Sequence, residues 1–387
     1  MEGGDAPQDR SPRLAALRLR DLRTYEEADL ELGPGLTVVS GPNGAGKTNL
    51  LEAAYVACTG RSFRAAGDRE LVRRGRDAAH VAVEVERPGF GRATFTVGLV
   101  PGDRRRLRVD GAPVDGLLDH PSRPLLSVFL PDRLALVKGT PGLRRAHLDQ
   151  VVLALRPAAA AVRRRYVDAL RQRNALLGQL RAREVSPAAA ATDLEPWDRA
   201  LADAAVALTG ARAEAVALLA DPVAARAEEL GLAGELSVEY RPRVAGDAEA
   251  FRAALAERRV GDLERGFTHA GPHRDELALR RDGRAIARFG SQGEQRLCLL
   301  ALLLGEADAL QAETGRRPVL LLDDVMSELD ATRRERLVAV LRAGGQALVT
   351  VTEAAHVPHA DDPGVGRVEV EPGHARALRV STIAEVA

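Results

Sequence analysis

An α/β fold with a β-rich flank, split by an inserted α-helical domain, is what this sequence predicts, and three observations predict it. Short apolar runs suited to buried strands, such as LTVVS (36–40), LLSVFL (125–130) and VLLL (319–322), lie near both ends of the chain. A glycine-rich turn, GPNGAGKT (41–48), joins the first of them to an apolar helix. Between about 141 and 264 the texture changes to Ala, Leu and Arg at helical spacing. The 387 residues, 45% of them hydrophobic, suffice for two domains with a sizeable core.

The elements follow in order. Residues 1–13, MEGGDAPQDRSPR, are polar and are expected to form a loose tail. LAALRLRDL (14–22) alternates as a half-buried strand does, ADLELG (28–33) follows, and LTVVS leads into the turn. KTNLLEAAYVAC (47–58) is the expected helix. VAVEVER (81–87), RATFTVGL (92–99) and RRLRVDGAPV (105–114) alternate again, with Asp110-Gly111 as a hairpin turn. From 141 to 264 a helical stretch is expected whose longest helices run about 25–35 residues, or roughly 40–50 Å, punctuated by Pro157, Ser186-Pro187 and Asp221-Pro222. From 265 to 387 the α/β texture returns: a hairpin in ELALRRDGRAIARF (276–289), a helix after Ser291, the strand PVLLLDD (318–324), a helix at 331–343, the strand QALVTVT (346–352) and a short β tail.

Composition narrows the function. The 55 basic and 55 acidic residues cancel, so contact with nucleic acid must come from a local patch. Cys58 and Cys298 are the only cysteines and read as core residues in a reducing compartment. The N-terminus lacks the apolar stretch of a secretory signal, and no run approaches a membrane span, so a cytoplasmic protein with no membrane partner is expected. Nearly every basic residue is Arg; the only lysines are Lys47 and Lys138, and Lys47 lies in the glycine-rich turn.

That turn carries the clearest chemistry. Gly41, Pro42, Asn43, Gly44, Ala45, Gly46, Lys47 and Thr48 fit G-x-x-x-x-G-K-[ST] between a strand and a helix. Its backbone N–H groups and helix N-terminus favour phosphate oxygens. Lys47 is expected to reach the β- and γ-phosphates of ATP and Thr48 to ligate Mg²⁺. VLLLDD ends in two carboxylates; a strand lying beside the phosphate-loop strand would deliver Asp323 to the metal, with Asp324 orienting or deprotonating the attacking water. SELD (327–330) reads either as a helix cap or as a loop that signals across a dimer. Ser291-Gln292-Gly293 opens a helix and forms a second anion-binding start. SQGEQR (291–296) resembles the signature of ABC-type ATPases, which implies that Ser291 and Gly293 close in trans on ATP held by the other subunit of a homodimer.

Taken together, LRLRDLRTYEEADLELGPGLTVVSGPNGAGKTNLLEAAYVACTGRSFR, FLPDRLALVKGTPGLRRAHLDQ (129–150), FTHAGPHRDEL (267–277), SQGEQR and LLLDDVMSELD resemble the RecF family of bacterial DNA replication and repair proteins. The likeness spans roughly 14–380, although 155–260 match only in helical character. It implies an ABC-type P-loop ATPase head, related to those of SMC proteins, that dimerises with ATP, binds duplex and gapped DNA, hydrolyses ATP slowly and works with RecO and RecR in loading the recombinase. Two departures stand out: Leu22-Arg23-Thr24-Tyr25 where the family often has Phe-Arg-Asn-Tyr, and Glu294 where it usually has Gln. A carboxylate near a γ-phosphate is unfavourable unless it points away or meets an arginine.

Candidate DNA contacts are Arg73, Arg74, Arg104, Arg105 and Arg106, within the wider clusters Arg61/Arg64/Arg69/Arg76, Arg108 and Arg163/Arg164/Arg165. Arg61 and Arg64 could instead touch nucleotide. With aromatics at 3%, contact with the phosphate backbone of duplex is favoured over base stacking. His273 and Arg274 read either as catalytic or as a structural link into the next strand. The competing classes are a transporter's energy-coupling subunit, disfavoured by the helical insertion and by the want of a clear transporter Q-loop, the head of a long coiled-coil machine, and a P-loop kinase, which needs no signature helix.

Overall fold

The computed structural model describes residues 11–118 and 120–379; most of the expected tail lies outside them. The chain forms two compact units, one of residues 1–133, 229–231 and 310–387, the other of 134–228 and 232–309. This differs from the expected cut at 141 and 265, because residues 265–309 gather with the helical unit.

The first unit opens with β1 (Arg13–Leu22), β2 (Tyr25–Glu31), β3 (Leu36–Ser40), α1 (Lys47–Thr59), α2 (Asp68–Leu71), β4 (Ala79–Arg87), β5 (Gly91–Leu99), β6 (Arg106–Val109), β7 (Ala112–Pro113) and β8 (Leu126–Phe129). The second carries α3 (Ala135–Lys138), α4 (Pro141–Leu155), α5 (Ala159–Ala182), α6 (Pro187–Glu229), β9 (Leu236–Arg241), α7 (Ala248–Glu257), α8 (Arg259–Arg265), β10 (Glu276–Arg281), β11 (Arg284–Ala285), α9 (Ile286–Phe289) and most of α10 (Gln292–Thr314). The first unit is completed by β12 (Val319–Leu322), α11 (Ala331–Ala343), β13 (Ala347–Val351), β14 (Gly366–Glu371) and β15 (His374–Arg379).

Two sheets build the first unit. One, in the order β2-β1-β4-β5-β6-β7, is antiparallel and is the expected β-rich flank. Its strands alternate buried and exposed residues, as one-sided sheets do. Asp110 and Gly111 make the β6–β7 turn, both with positive φ (49° and 80°), as a two-residue hairpin requires. The other sheet runs β15-β14-β3-β13-β12-β8 and is parallel from β14 to β8. β12 and β13 are buried at every position, which parallel strands covered on both faces demand. Helix α1 touches β1, β4 and β5 of one sheet and β13 of the other. This placement explains a sequence apolar on nearly every side, with Leu50, Leu51, Ala53, Ala54, Val56 and Ala57 all fully buried.

The order of the parallel sheet corrects one expectation. The acidic strand β12 does not lie beside the phosphate-loop strand β3; β13 runs between them, with Leu321 opposite Leu348 and Leu348 opposite Thr37.

In the second unit one helix is longer than expected, and the helices are not alone. α6 runs 43 residues, with Pro196 and Pro222 inside it, so Asp221-Pro222 does not end a helix. Pro222 removes one backbone donor, yet packing over-rules the local cost of about 3 kcal/mol. Its neighbour Val223 is fully buried under Gly305 of α10, where a Cβ would stand 2.7 Å from the Val223 backbone. An Arg226–Asp308 pair at 2.5 Å joins the same two helices. The unit also holds a three-stranded antiparallel sheet, β11-β10-β9. Its β9, LSVEYR, went unpredicted inside the helical texture, and the expected 276–289 hairpin is the short β10–β11 pair followed by α9.

Candidate nucleotide site

The phosphate loop leaves β3 at Gly41 and enters α1 at Lys47. A Cβ on Gly41 would lie 2.1 Å from the carbonyl oxygen of Val370 on β14, so only glycine lets the loop pass. Gly46, the N-cap, has φ 119° and faces the Thr24 hydroxyl and the Tyr25 ring, whose O–H donates to its carbonyl at 3.0 Å. Pro42, Asn43 and Gly44 form an exposed crown over buried Ala45 and Gly46. Lys47, nearly buried, folds back so that Nζ donates to the carbonyls of Gly41 (2.7 Å) and Pro42 (2.9 Å). Burial lowers its pKa, and the nearby carboxylates of Asp323 and Asp324 pull it back up.

At the end of β12, Asp323 is buried and turns toward the loop. The Thr48 hydroxyl donates to its carboxylate at 2.8 Å from Oδ2 and 3.0 Å from Oδ1. A second hydroxyl, that of Thr350 on β13, donates to Oδ1 at 2.6 Å. Asp324 is exposed and left-handed, with φ 48°. Thus Thr48 and Asp323, 275 residues apart, meet at one point beside the loop. Two oxygen ligands, a hydroxyl and a carboxylate, suit a hard, oxygen-seeking cation such as Mg²⁺. Thr350 was not foreseen; its only signal is a polar residue inside the otherwise apolar strand ALVTV.

One turn along α1, Glu52 is wholly buried and accepts from Arg23 Nε (2.8 Å), Arg64 Nε (3.1 Å) and Ser62 Oγ (2.5 Å). Burial opposes its ionisation, but these donors win and its pKa falls below the ordinary carboxylate value. Arg64 also bonds Asn49, whose amide donates to Thr24 Oγ1 at 2.9 Å. Arg23, Thr24 and Asn49 then form one wall of a cavity of about 450 Å³, completed by Arg69, Glu70, Val72, Arg73, Arg74 and Gly75.

The expected DNA contacts fall into two kinds. Arg74, Arg104 and Arg106 are exposed. Arg73 pairs with Glu26 at 3.2 Å, and Arg105 holds Asp68 through Nε at 2.8 Å and the carbonyl of Gly60. These two carry structural partners already.

In the second unit, Ser291, Gln292, Gly293 and Glu294 begin α10. Ser291 and Glu294 form a capping box: the Ser291 N–H donates to Glu294 Oε2 at 2.7 Å, and the Glu294 N–H donates to Ser291 Oγ at 3.3 Å. Arg281 also meets the Glu294 carboxylate, which answers the charge problem this residue poses; its pKa is held below the ordinary value by the Ser291 backbone and Arg281. Buried Gln295 donates to the carbonyls of Ile286, Ala287 and Gly290 and fixes the turn before the helix. A Cβ on Gly293 would meet nothing within 4 Å, so the chain's own packing does not demand this glycine.

FTHAGPHRDEL is a partly buried strap, with Phe267 and Arg274 exposed. His273 Nε2 faces the Thr268 carbonyl at 3.0 Å and must carry the proton there, so Nδ1 accepts from the Tyr166 hydroxyl at 2.6 Å. Arg274 is exposed and lies 5.9 Å over the Phe267 ring. The structural reading of His273 thus accounts for both ring nitrogens.

No helix among the described residues is long and apolar enough to cross a membrane. Residues 16–111 match the AAA domain family model. The DNA replication and repair protein RecF of Gloeobacter violaceus is 40% identical over 348 residues, covering 88% of this chain and 92% of that protein. RecF of Anaeromyxobacter sp. is 39% identical over 372 residues, covering 93% and 98%. Among solved structures, the recombination mediator protein RecF with ATP, of the RecFOR pathway, superposes with a TM-score of 0.82 at 26% identity, over 97% of this chain and all of that one. The Smc head domain of Pyrococcus furiosus reaches 0.61 at 16% identity over 96% of each chain and shares the fold. The chain is thus an ABC-type ATPase head in architecture and belongs to the RecF family of DNA replication and repair proteins.

Proposed function

We propose that this protein is an ATP-dependent DNA-binding protein in which ATP closes a homodimer on duplex or gapped DNA, helps load the recombinase, and releases the DNA on slow hydrolysis. The meeting of Thr48 with Asp323 beside an intact phosphate loop carries the nucleotide half of this reading. The likeness to the ATP-bound recombination mediator RecF of the RecFOR pathway supports the pathway half and points to RecO- and RecR-type partners in the cytoplasm.

Each residue then has a role. Residues 41–48 cradle the phosphates through backbone N–H groups and the α1 N-terminus. Lys47 exchanges its two carbonyl partners for phosphate oxygens, a charge-assisted and stronger contact. Thr48 and Asp323 would hold Mg²⁺, which would supply charge neutralisation at the phosphate oxygens. Asp324, exposed beyond the strand end, orients the attacking water or takes its proton. The cavity beside Asn49 and Thr24 has room for the base and ribose. Ser291 and Gly293 contact the γ-phosphate in trans. Two observations support this: the Ser291 oxygen already accepts from Glu294, leaving its proton to donate outward, and Gly293 keeps the helix start bare. DNA contact falls to exposed Arg74, Arg104 and Arg106 more than to paired Arg73 and Arg105.

The test is fluorescence anisotropy of a labelled gapped duplex, with and without ATP and Mg²⁺. Binding that tightens with ATP and is lost in Lys47→Met supports a nucleotide-gated clamp. ATP-independent binding refutes the gating. Ser291→Arg is expected to bind ATP but remain monomeric; a Ser291→Arg dimer in ATP would sink the composite site.

A further inference from the structure

The strand that separates β3 from β12 puts one hydroxyl at the centre of the hydrolytic machinery. Thr350 lies on β13 one step beyond the Leu322–Val349 pair, and so beside Asp323. Its other neighbour is Val39 on β3, the strand that leads into the phosphate loop. The side chain is fully buried. Its hydroxyl makes two bonds of opposite sense: it donates to Asp323 Oδ1 at 2.6 Å and accepts from the Asp324 backbone N–H at 2.9 Å. One proton and one lone pair therefore join to both acids.

We propose that Thr350 is a positioning residue for ATP hydrolysis, setting the carboxylate of Asp323 and the main chain of Asp324 with a single hydroxyl. Asp323 is anchored at its backbone, where its N–H donates to the Phe129 carbonyl at 2.9 Å, but its carboxylate is aimed by hydroxyls alone. Thr48 supplies one of these and is itself expected to face the cation. Thr350 is closed off from solvent and spends its proton on Asp323 and its lone pair on Asp324. At Asp324 the backbone stands at φ 48°, a conformation that side chains with a Cβ adopt at a cost. The bond from its N–H to Thr350 holds that turn, which lifts the Asp324 carboxylate off the sheet and into solvent. Valine has nearly the shape of threonine and neither bond, so Thr350→Val leaves that N–H unpaired and frees the Asp323 carboxylate to rotate.

The assignment rests on the nucleotide reading, and the experiment separates the two. Binding of a fluorescent ATP analogue is titrated against Mg²⁺ and in EDTA, alongside steady-state ATP turnover and thermal melting, for the full chain. Wild type is expected to need Mg²⁺ for tight binding. Thr350→Val should raise the Mg²⁺ requirement about tenfold and lower kcat by a factor on the order of ten to a hundred, the range for groups that orient metal ligands. Affinity in EDTA should stay unchanged. Thr350→Ser, which keeps the hydroxyl and loses a packed methyl, should melt earlier yet keep the wild-type Mg²⁺ requirement. A Thr350→Val protein with wild-type Mg²⁺ dependence overturns the proposal, as does a Thr350→Ser protein impaired in Mg²⁺ use. Wild type that binds no nucleotide in Mg²⁺ removes the nucleotide reading and this assignment with it.

Discussion

Two buried polar clusters in this molecule are built on opposite plans. In the helical unit, Arg173 is wholly buried between Asp198 (2.6 Å) and Asp262 (2.7 Å), and Arg212 lies between Asp149 (2.8 Å) and Asp275 (3.5 Å). Each cation there meets two carboxylates, and some of the carboxylates find further donors, such as His269 on Asp262 and the Arg243 N–H on Asp275. At the phosphate loop the hydrogen bonds of Lys47 go to carbonyls and those of the Asp323 side chain come from hydroxyls. Charges matched by opposite charges are held tightly and tie helices together; charges matched only by neutral dipoles are held more loosely and can exchange partners. The first arrangement suits a scaffold, and the second suits a site whose groups change partners.

The comparison can be broken from its strongest side. Arg173→Met leaves Asp198 and Asp262 buried without their cation, and chemical denaturation should show a loss of about 3–5 kcal/mol. Adding Asp198→Asn and Asp262→Asn should recover much of that loss, since no buried carboxylate then stands alone. Lys47→Met is expected to do the reverse, leaving the melting transition within about 1 kcal/mol of wild type while ATP turnover falls by roughly two to three orders of magnitude. A Lys47→Met protein that unfolds readily would erase the distinction.

A pH titration sharpens it. Burial lowers the pKa of His273 below its ordinary value of 6.5, and the hydrogen bond to the Thr268 carbonyl offsets only part of that shift. The unfolded chain therefore binds the proton more readily than the folded one. The stability His273 contributes is full above pH 6.5 and is lost as pH falls through the lower folded pKa. His273→Gln should flatten thermal stability over that window. The smallest effect belongs to exposed pairs: Arg199→Ala, which removes the Glu195 pair on the surface of α6, should change stability by less than about 0.5 kcal/mol.

What could be read from the sequence depended on how local its cause was. The phosphate loop, its strand and its helix were legible because glycines, Lys47 and Thr48 act within eight consecutive residues. The meeting of Thr48 with Asp323 was legible only through the pairing of two motifs. Thr350 was not, because its value comes from sheet order, which places β13 between two motif-bearing strands. Pro222 misled for the same reason: proline's effect is local, while α6 runs on past it packed against Gly305 on another helix. Glu294 looked unfavourable until its partners, Ser291 and Arg281, were in view.

The sheet order also bears on how the chain is made. β3, at residues 36–40, pairs with residues 347–351 on one side and 366–369 on the other. A ribosome therefore releases the phosphate loop long before it releases either strand that flanks it. During most of synthesis the loop's carrier is an unpaired hydrophobic edge, the kind of surface that invites chaperones or misassociation. Premature termination between α1 and β12 yields a product that retains the nucleotide motif but lacks Asp323 and both strands that flank β3.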